Sequence, residues 1–298
     1  MPTRSTDILE RLATPDELLA WSNRCHLAGQ TVGMVPTMGA LHAGHRALID
    51  RAVAENDRVV VTIFVNPAQF GPSEDFSRYP RTLDTDLATV VAAGAHAVFV
   101  PSVEAMYPAG LTTRIHVDGH LGDRLEGASR PGHLDGVALV VTKLLVAGRP
   151  DRAYFGQKDA QQCAVVRHLA RDLDTGSEIV VCPTVRDTDG LAISSRNVYL
   201  SPEDRAAARS IPASLAAAMA EFEAGERDVG VLTSHIRSML EAAGLSVDYA
   251  AVVEADGFAE VETAVPTNQI VVAARIGGTR LIDVVRLGVD AAPVGRGA

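Results

Sequence analysis

Two histidines, His42 and His45, stand three residues apart in TVGMVPTMGALHAGHR, the stretch from Thr31 to Arg46 that is best equipped for chemistry. Thr31 to Val35 reads as a short buried strand, with Gly33 inside it and Pro36 just after. Pro36 to Leu41 reads as a turn, and from His42 an amphipathic helix can run to about Asn56. A helix start carries unpaired N–H groups and the positive end of the dipole, so it attracts anions. His42 and His45 project from one side of that first turn, and Gly39 and Gly44 leave room for a ligand or another backbone. The pattern fits a polyphosphate site. It equally fits a partial metal pair or two polar residues on a surface turn, although a zinc-protease helix would need His-Glu-x-x-His and no glutamate stands here.

Three further places carry suitable side chains. Arg58 to Val65, RVVVTIFV, is a β-branched run typical of a strand buried on both faces, and it ends at Asn66-Pro67. Asn66 and Gln69 then lie where a doubly wound sheet holds its substrate, or else they cap a turn. Asp151 to Phe155 reads as another strand, followed by Gly156-Gln157-Lys158-Asp159 and a helix to about Leu173. Lys158 could meet a phosphate and Asp159 a ribose hydroxyl, or the lysine is simply solvated. In PTVRDTDGLAISSRNVYL, two hydroxyls, Ser194 and Ser195, adjoin the guanidinium of Arg196. They could wrap a phosphate, or belong to an ordinary polar loop. Asp84 and Asp86 fall in the first turn of a helix, where acidic residues complement the dipole.

The elements that must position these groups alternate. A leading helical segment over Ser5 to Leu27 has a good entry at Thr14-Pro15-Asp16. Helices are expected over Thr82 to Gly94 and from about His133 through Val146, with strands at Ala97 to Val100 and Glu178 to Cys182; Leu121 to Pro131 is a polar connection. This rhythm predicts an α/β fold: a Rossmann-like parallel sheet with helices on both faces over residues 1–184, followed by a smaller α+β C-terminal domain over 185–298. In the second domain, alanine-rich helices run from Ser201-Pro202 to about Ala224 and from Val229 to Gly244. Strands follow at Ser246 to Val253, Ile270 to Ala274 and Arg280 to Val285, and 291–298 reads as a frayed tail.

With 298 residues, 47% hydrophobic and 21% charged, the chain is expected to be a soluble globular protein of two domains. A net charge of −10 argues against a large nucleic-acid footprint. Cys25, Cys163 and Cys182 form no CxxC and are expected to be reduced core thiols. No apolar run resembles a signal peptide or spans a bilayer, so a cytoplasmic location is the expectation. GxxxxGK[ST], GxGxxG after a strand, and GxSxG are all absent, which removes support from P-loop NTPases, nicotinamide dehydrogenases and α/β-hydrolases.

Taken together, PTMGALHAGH, IFVNPAQF, YPRT, MYP, RPGHLDGV, RPDRAYFGQKD and DGLAISSRN, in this order, closely resemble the pantoate–β-alanine ligase family of the HIGH-motif nucleotidyltransferase superfamily. The resemblance runs from about Val35 to Leu200 and continues weakly through VVAARIGGTRLID. It implies ATP-dependent ligation through a pantoyl adenylate, releasing pyrophosphate and then AMP, in the route to coenzyme A. It further implies that Met38, Gly39, Ala40, Leu41, His42, Ala43, Gly44 and His45 line the ATP site. Gly156, Gln157, Lys158 and Asp159 would hold the ribose and phosphate side, Val185 the adenine, and Ile193, Ser194, Ser195 and Arg196 the closing segment. His45, His42 and Lys158 carry the catalytic expectation. Gln69 and Gln162 would grip pantoate, with Gln69 also near β-alanine and Asn66 in support.

The family implies Mg²⁺ escorting ATP, with Asp86 the candidate near the metal, and a homodimer. Ile193 stands where methionine is common, Gln157 for a frequent glutamate, Ala160 for an aromatic, and Thr85 where some relatives are acidic. None of these departures touches the histidines, the lysine, the glutamines or the serine–arginine segment. Rival readings are a simple adenylyl- or cytidylyltransferase, which would form no amide, a metal hydrolase built on His42 and His45, and a silent nucleotide sensor.

Overall fold

The β-branched runs become the strands of a six-stranded sheet in the computed structural model, which describes residues 9–72 and 74–293. The expected helical lead at 5–8 and the tail at 294–298 lie outside the described residues. In order, the chain forms β1 (Glu10–Leu12), α1 (Pro15–Leu27), β2 (Val32–Thr37), α2 (Ala43–Glu55), β3 (Arg58–Ile63), a 3₁₀ turn (Pro67–Gln69), α3 (Leu83–Ala93) and β4 (Ala97–Phe99). Next come α4 (Val103–Met106), α5 (Gly119–Asp123), α6 (Glu126–Ser129), α7 (His133–Gly148), β5 (Arg152–Gly156), α8 (Ala160–Asp172) and β6 (Glu178–Cys182). A second 3₁₀ turn (Ser195–Tyr199) leads to α9 (Pro202–Ala208), α10 (Ser210–Glu223), α11 (Val229–Ala242), β7 (Ser246–Val253), β8 (Gln269–Ile276) and β9 (Thr279–Arg286).

Contacts group these elements into two compact units. The first holds the described residues to Val117 with Arg130–Phe155 and Val165–Cys182. The second holds Asp118–Ser129, Gly156–Ala164 and the described residues from Pro183 onward.

In the first unit the strand order is β1-β4-β3-β2-β5-β6. The pairings from β1 through β5 are parallel. Alternation along each strand buries both faces. Val35, Val59, Val61 and Val98 pack with Leu48 and Ile49 of α2 and Leu87 and Val90 of α3. Met34, on the opposite face of β2, meets α7 so closely that a Cβ on Gly148 would strike it, with Leu18 of α1 beside them. Sequence order reverses at β2, with β3 and β4 to one side and β5 and β6 to the other, so the carboxyl end of β2 is the topological switch point.

The sheet departs from expectation at two places. Glu10–Leu12 is a strand rather than helix, paired in parallel with Ala97–Phe99. Helix begins only after Thr14, whose hydroxyl accepts the Glu17 N–H while Glu17 accepts the Thr14 N–H; this reciprocal cap and Pro15 fix where α1 starts. β2 also continues through Pro36 to Thr37. Its pairing with β5 covers Gly33 and Met34, so Pro36 lies where the strand has a partner on one side, a placement proline tolerates.

The second unit carries an antiparallel sheet, β7-β8-β9. Leu232, Ile236 and Leu240 recur every four residues and make one apolar face of α11. They pack with Leu215, Met219 and Phe222 of α10 against Ile270, Val272 and Ala274 of β8. The expected polar connection after Leu121 contains α5 and α6, and Glu126 within it is buried. Tyr249 and Arg280 supply the reason: both donate to its carboxylate, the arginine through two nitrogens at 2.6 and 2.9 Å. Among the described residues no helix is long and apolar enough to cross a membrane.

Candidate active site

The turn after β2 is built from the inside. Thr37 Oγ1 donates to the Thr62 carbonyl of β3 at 2.6 Å and accepts the Gly39 N–H at 3.2 Å, so the turn leaves the sheet from a fixed point. Gly39 adopts φ +83°, and a Cβ there would stand 3.0 Å from Asp86 Oδ2 and 3.1 Å from Ile63 Cγ2. Ala40 follows at φ +50°, a strained value for a residue with a Cβ. Asp86 holds it there: the Ala40 N–H donates to Oδ2 at 3.0 Å, and the Leu41 N–H to Oδ1 at 2.8 Å.

Thr82 adds a third hydrogen bond to the same carboxylate at 3.2 Å, and Asp86 is 1% exposed. This donor set suits a backbone anchor and does not suit a cation: three of the carboxylate's roughly four acceptor places are taken, and the group is closed to solvent. Among the described residues no group of three His, Cys, Asp or Glu side chains could hold a metal. The expectation of Asp86 beside magnesium therefore finds no fit in this geometry. The N–H groups of Gly39, Ala40, Leu41 and His42 are all already taken, which narrows the anion site to the remaining donors of the helix start and the histidines.

His42 is the N-cap of α2. Its ring stacks on that of His45 with centroids 4.0 Å apart and planes at 26°. Gly44 makes this stack fit, since a Cβ there would come within 3.0 Å of His42 Cε1. The His42 backbone N–H donates to His45 Nδ1 at 3.4 Å. The neutral His45 ring then carries its proton on Nε2 as a donor. Both rings are half-buried.

Gln69 meets this turn through its amide, with Nε2 lying 3.3 Å from Met38 Sδ. Its Oε1 accepts Asn66 Nδ2 at 2.9 Å, so each end of the amide holds one partner and keeps a second N–H or lone pair for a ligand. Asn66 is 1% exposed and fully engaged. Its Nδ2 also donates to the Gly136 carbonyl, while Oδ1 accepts the Ala68 N–H at 3.1 Å and the Tyr107 hydroxyl at 2.6 Å. Burial pushes the Tyr107 hydroxyl well above its ordinary pKa, which keeps it a donor. Asn66 thus orients Gln69. Sequence reasoning missed Tyr107, Thr37, Thr82 and Gly136, where a side chain would collide with the Ala68 carbonyl. The available signal was that all four lie in the motifs that carry the resemblance: Thr37 in PTMGALHAGH, Thr82 in YPRT, Tyr107 in MYP and Gly136 in RPGHLDGV.

In the second unit, Gly156–Asp159 form the turn before α8. Lys158 Nζ lies 3.3 Å from Asp159 Oδ2, a single partly exposed ion pair. The amide of Gln157 is buried and spoken for: Nε2 donates to Asp290 Oδ2 at 2.6 Å, an oxygen that also accepts the Arg286 N–H. Gln162, in the first turn of α8, is partly exposed. Its neighbour Gln161 is buried and ties down the 121–126 segment, accepting the Glu126 N–H and donating to the Leu121 and Arg124 carbonyls.

A hairpin brings Val185 and Ile193 together, the Ile193 N–H donating to the Val185 carbonyl at 3.0 Å. Arg186 pins the hairpin with a two-pronged bond to buried Asp283 at 2.7 and 2.9 Å. Burial pushes the Asp283 carboxyl above its ordinary pKa, against the pull of Arg186. Directly after the hairpin, Ser194 Oγ accepts the Arg196 N–H and caps the 3₁₀ turn, leaving Ser195 and Arg196 half-buried. The first unit thus gathers Met38 to His45, Asn66, Gln69 and Asp86. The second gathers Val185 with the segment from Ile193 to Arg196.

Comparison with known proteins agrees along nearly the whole chain. The profile of the family described as pantoate-beta-alanine ligase matches residues 10–286. A pantothenate synthetase of Roseiflexus sp. (strain RS-1) is 53% identical over 254 residues, 85% of this chain and 91% of the relative. One of Rhizorhabdus wittichii is 48% identical over 278 residues, covering 93% and 98%. The crystal structure of pantothenate synthetase from Thermus thermophilus superposes with a TM-score of 0.88 at 45% identity, covering 93% of this chain and 99% of that one. A pantoate-beta-alanine ligase from Francisella tularensis, complexed with beta-gamma ATP and beta-alanine, superposes with a TM-score of 0.76 at 34% identity, covering 93% and 97%. The chain belongs to the pantoate–β-alanine ligase family.

Proposed function

We propose that the turn from Met38 to His45 acts with Lys158 and Ser194–Arg196 on one ATP molecule, and that Gln69 and Gln162 hold pantoate beside it. The chain is an ATP-dependent pantoate–β-alanine ligase. A pantoate carboxylate oxygen attacks the α-phosphorus of ATP and pyrophosphate leaves, giving pantoyl adenylate. The β-alanine amine then attacks the acyl carbon, loses a proton, and expels AMP with the oxygen that came from pantoate. The Francisella tularensis relative, complexed with beta-gamma ATP and beta-alanine, supports ATP and β-alanine as substrates.

A carboxylate needs no base to act as a nucleophile, so the first step calls for alignment and for donors where charge develops. His45 offers a neutral N–H from Nε2, and His42, stacked on it, shares the task. Lys158 and Arg196 contribute full positive charge toward the phosphates. Gly39, Ala40, Leu41, Ala43 and Gly44 line the nucleotide, Gly156 and Asp159 its ribose side, and Val185 and Ile193 the base. Gln157 contributes through its main chain, since Asp290 engages its amide.

The observation that carries the reading is the contact of Gln69 with Met38. It sets an amide, with a second N–H left to donate to an acid substrate, against the turn that holds the histidines. Magnesium would arrive on the phosphates of ATP, with no side chain of the described residues assigned to it. The enzyme works in the cytoplasm, where ATP is abundant, and as a homodimer; a monomeric mass in light scattering would overturn the latter.

Pantoate labelled with ¹⁸O in its carboxylate tests the chemistry. One labelled oxygen in AMP for each pantothenate formed is expected. Label in orthophosphate, with ADP as the nucleotide product, would replace the adenylate by an acyl phosphate.

A further inference from the structure

Gln69 is held by its main chain as well as by its amide. His133 opens α7, is buried, and places Nδ1 2.9 Å from the Gln69 carbonyl. Its Nε2 lies 2.8 Å from Arg130 Nη1. A carbonyl only accepts and a guanidinium only donates, so one ring satisfies both as the neutral Nδ1–H tautomer. Arg130 is fixed in turn by a two-pronged bond to Glu74, Nε to Oε1 at 2.6 Å and Nη2 to Oε2 at 2.8 Å. Glu74 Oε2 also accepts the Gly71 N–H. The relay begins and ends in the loop that follows β3, and clamps it between Gln69 and Glu74. Asn66, bonded to the Gly136 carbonyl of the same helix, fixes the side chain of the residue whose backbone His133 fixes.

We propose that His133 is a positioning residue for the acid substrate, acting through the Gln69 backbone as its Nδ1–H tautomer with Arg130 and Glu74 behind it. This rests on the assignment of Gln69 to pantoate. The two ring nitrogens have separate tasks, and amide side chains can imitate them one at a time. In His133→Asn, Nδ2 falls near the place of Nδ1 and can still donate to the Gln69 carbonyl. In His133→Gln, the amide reaches the place of Nε2 and keeps only the Arg130 contact. His133→Leu keeps neither.

The test is pantoate-dependent ATP–pyrophosphate exchange on the purified full-length variants, without β-alanine. His133→Leu should raise the KM for pantoate about tenfold, as loss of one buried hydrogen bond does. The KM for ATP should stay within about twofold. His133→Asn should recover most of the pantoate affinity and His133→Gln little of it. If the leucine variant does not fold, the contrast between asparagine and glutamine decides alone. Equal behaviour of those two, or a KM for ATP that rises with that for pantoate, overturns the proposal. Gln69→Ala separates the layers: a raised pantoate KM there with unchanged affinity in the His133 variants removes the relay and spares the substrate assignment. An unchanged pantoate KM in Gln69→Ala removes both. Nitrogen NMR of ¹⁵N-histidine-labelled enzyme reads the tautomer directly. A protonated Nδ1 with a pyridine-like Nε2 is expected at neutral pH, and a protonated Nε2 contradicts the proposal.

Discussion

The turn after β2 and the turn after β5 follow one plan, a parallel strand opening through glycine into a helix, yet they are held differently. Around Gly39 the backbone is tied to Thr37 and to a buried carboxylate, and a Cβ would meet side chains at 3.0 and 3.1 Å. At Gly156 a Cβ would meet nothing within 4 Å among the described residues. The cation beside it, Lys158, has one ion pair at 3.3 Å with its sequence neighbour. The first turn spends hydrogen bonds on shape and carries two stacked imidazoles. The second offers a charge on a longer, lightly held side chain. On the proposed reading, preorganisation belongs to the first turn and charge neutralisation to the second, so loss of the groups that hold the first turn should cost stability and loss of Lys158 should not.

The largest expected effect falls on the second turn and leaves stability alone. Lys158→Ala should reduce pantoate-dependent exchange by about 10²-fold, the usual cost of one donor to developing charge. Its unfolding free energy should stay within about 0.5 kcal/mol of the parent, because a partly exposed ion pair at 3.3 Å between sequence neighbours contributes little. Asp86→Ala should cost stability as well as exchange. It leaves two part-buried N–H groups without an acceptor, so urea unfolding should lose about 3 kcal/mol, and exchange should fall with the turn's geometry. An Asp86→Ala protein of unchanged stability would dissolve the contrast.

The paired glycines sharpen it further. Gly39→Ala should cost about 2 kcal/mol through its positive φ and the crowding by Asp86 and Ile63. Gly156→Ala should cost less than about 0.5 kcal/mol in the free enzyme. A pH-dependent effect concerns the loop between the turns. Burial raises the Glu74 carboxyl, but Arg130 outweighs it and holds the group at about 2, below its ordinary 4.5. Because the folded value is depressed, this stabilisation is complete above the ordinary value and is lost as pH falls toward the folded one. Glu74→Gln should therefore flatten the acid side of the stability profile, measured as urea midpoints at about pH 5 and about pH 3.

The strands and the histidine turn were legible because their signals are local. Alternating apolar runs, prolines and glycines set β2, β3 and β6 within a residue or two, and Ser246–Val253 emerged with its bounds intact. What stayed hidden depends on partners far along the chain. Asp86 reads as a helix-dipole acid until the turn 46 residues earlier folds back onto it. Glu126 looks like part of a polar connection until Arg280, 154 residues later, arrives at its carboxylate. β1 is hidden for the same reason, since three residues become a strand only through the edge that β4 presents. The amide of Gln157 reads as a site group until Asp290 claims it.

The most direct test that both turns act in adenylation compares His45→Ala and Lys158→Ala in ATP–pyrophosphate exchange with pantoate present and β-alanine absent. The account predicts that each, folded with a parent-like urea midpoint, loses exchange by about 10²-fold, because both turns serve the same adenylation step. Full exchange in either variant, with the loss appearing only when β-alanine is added, would contradict it.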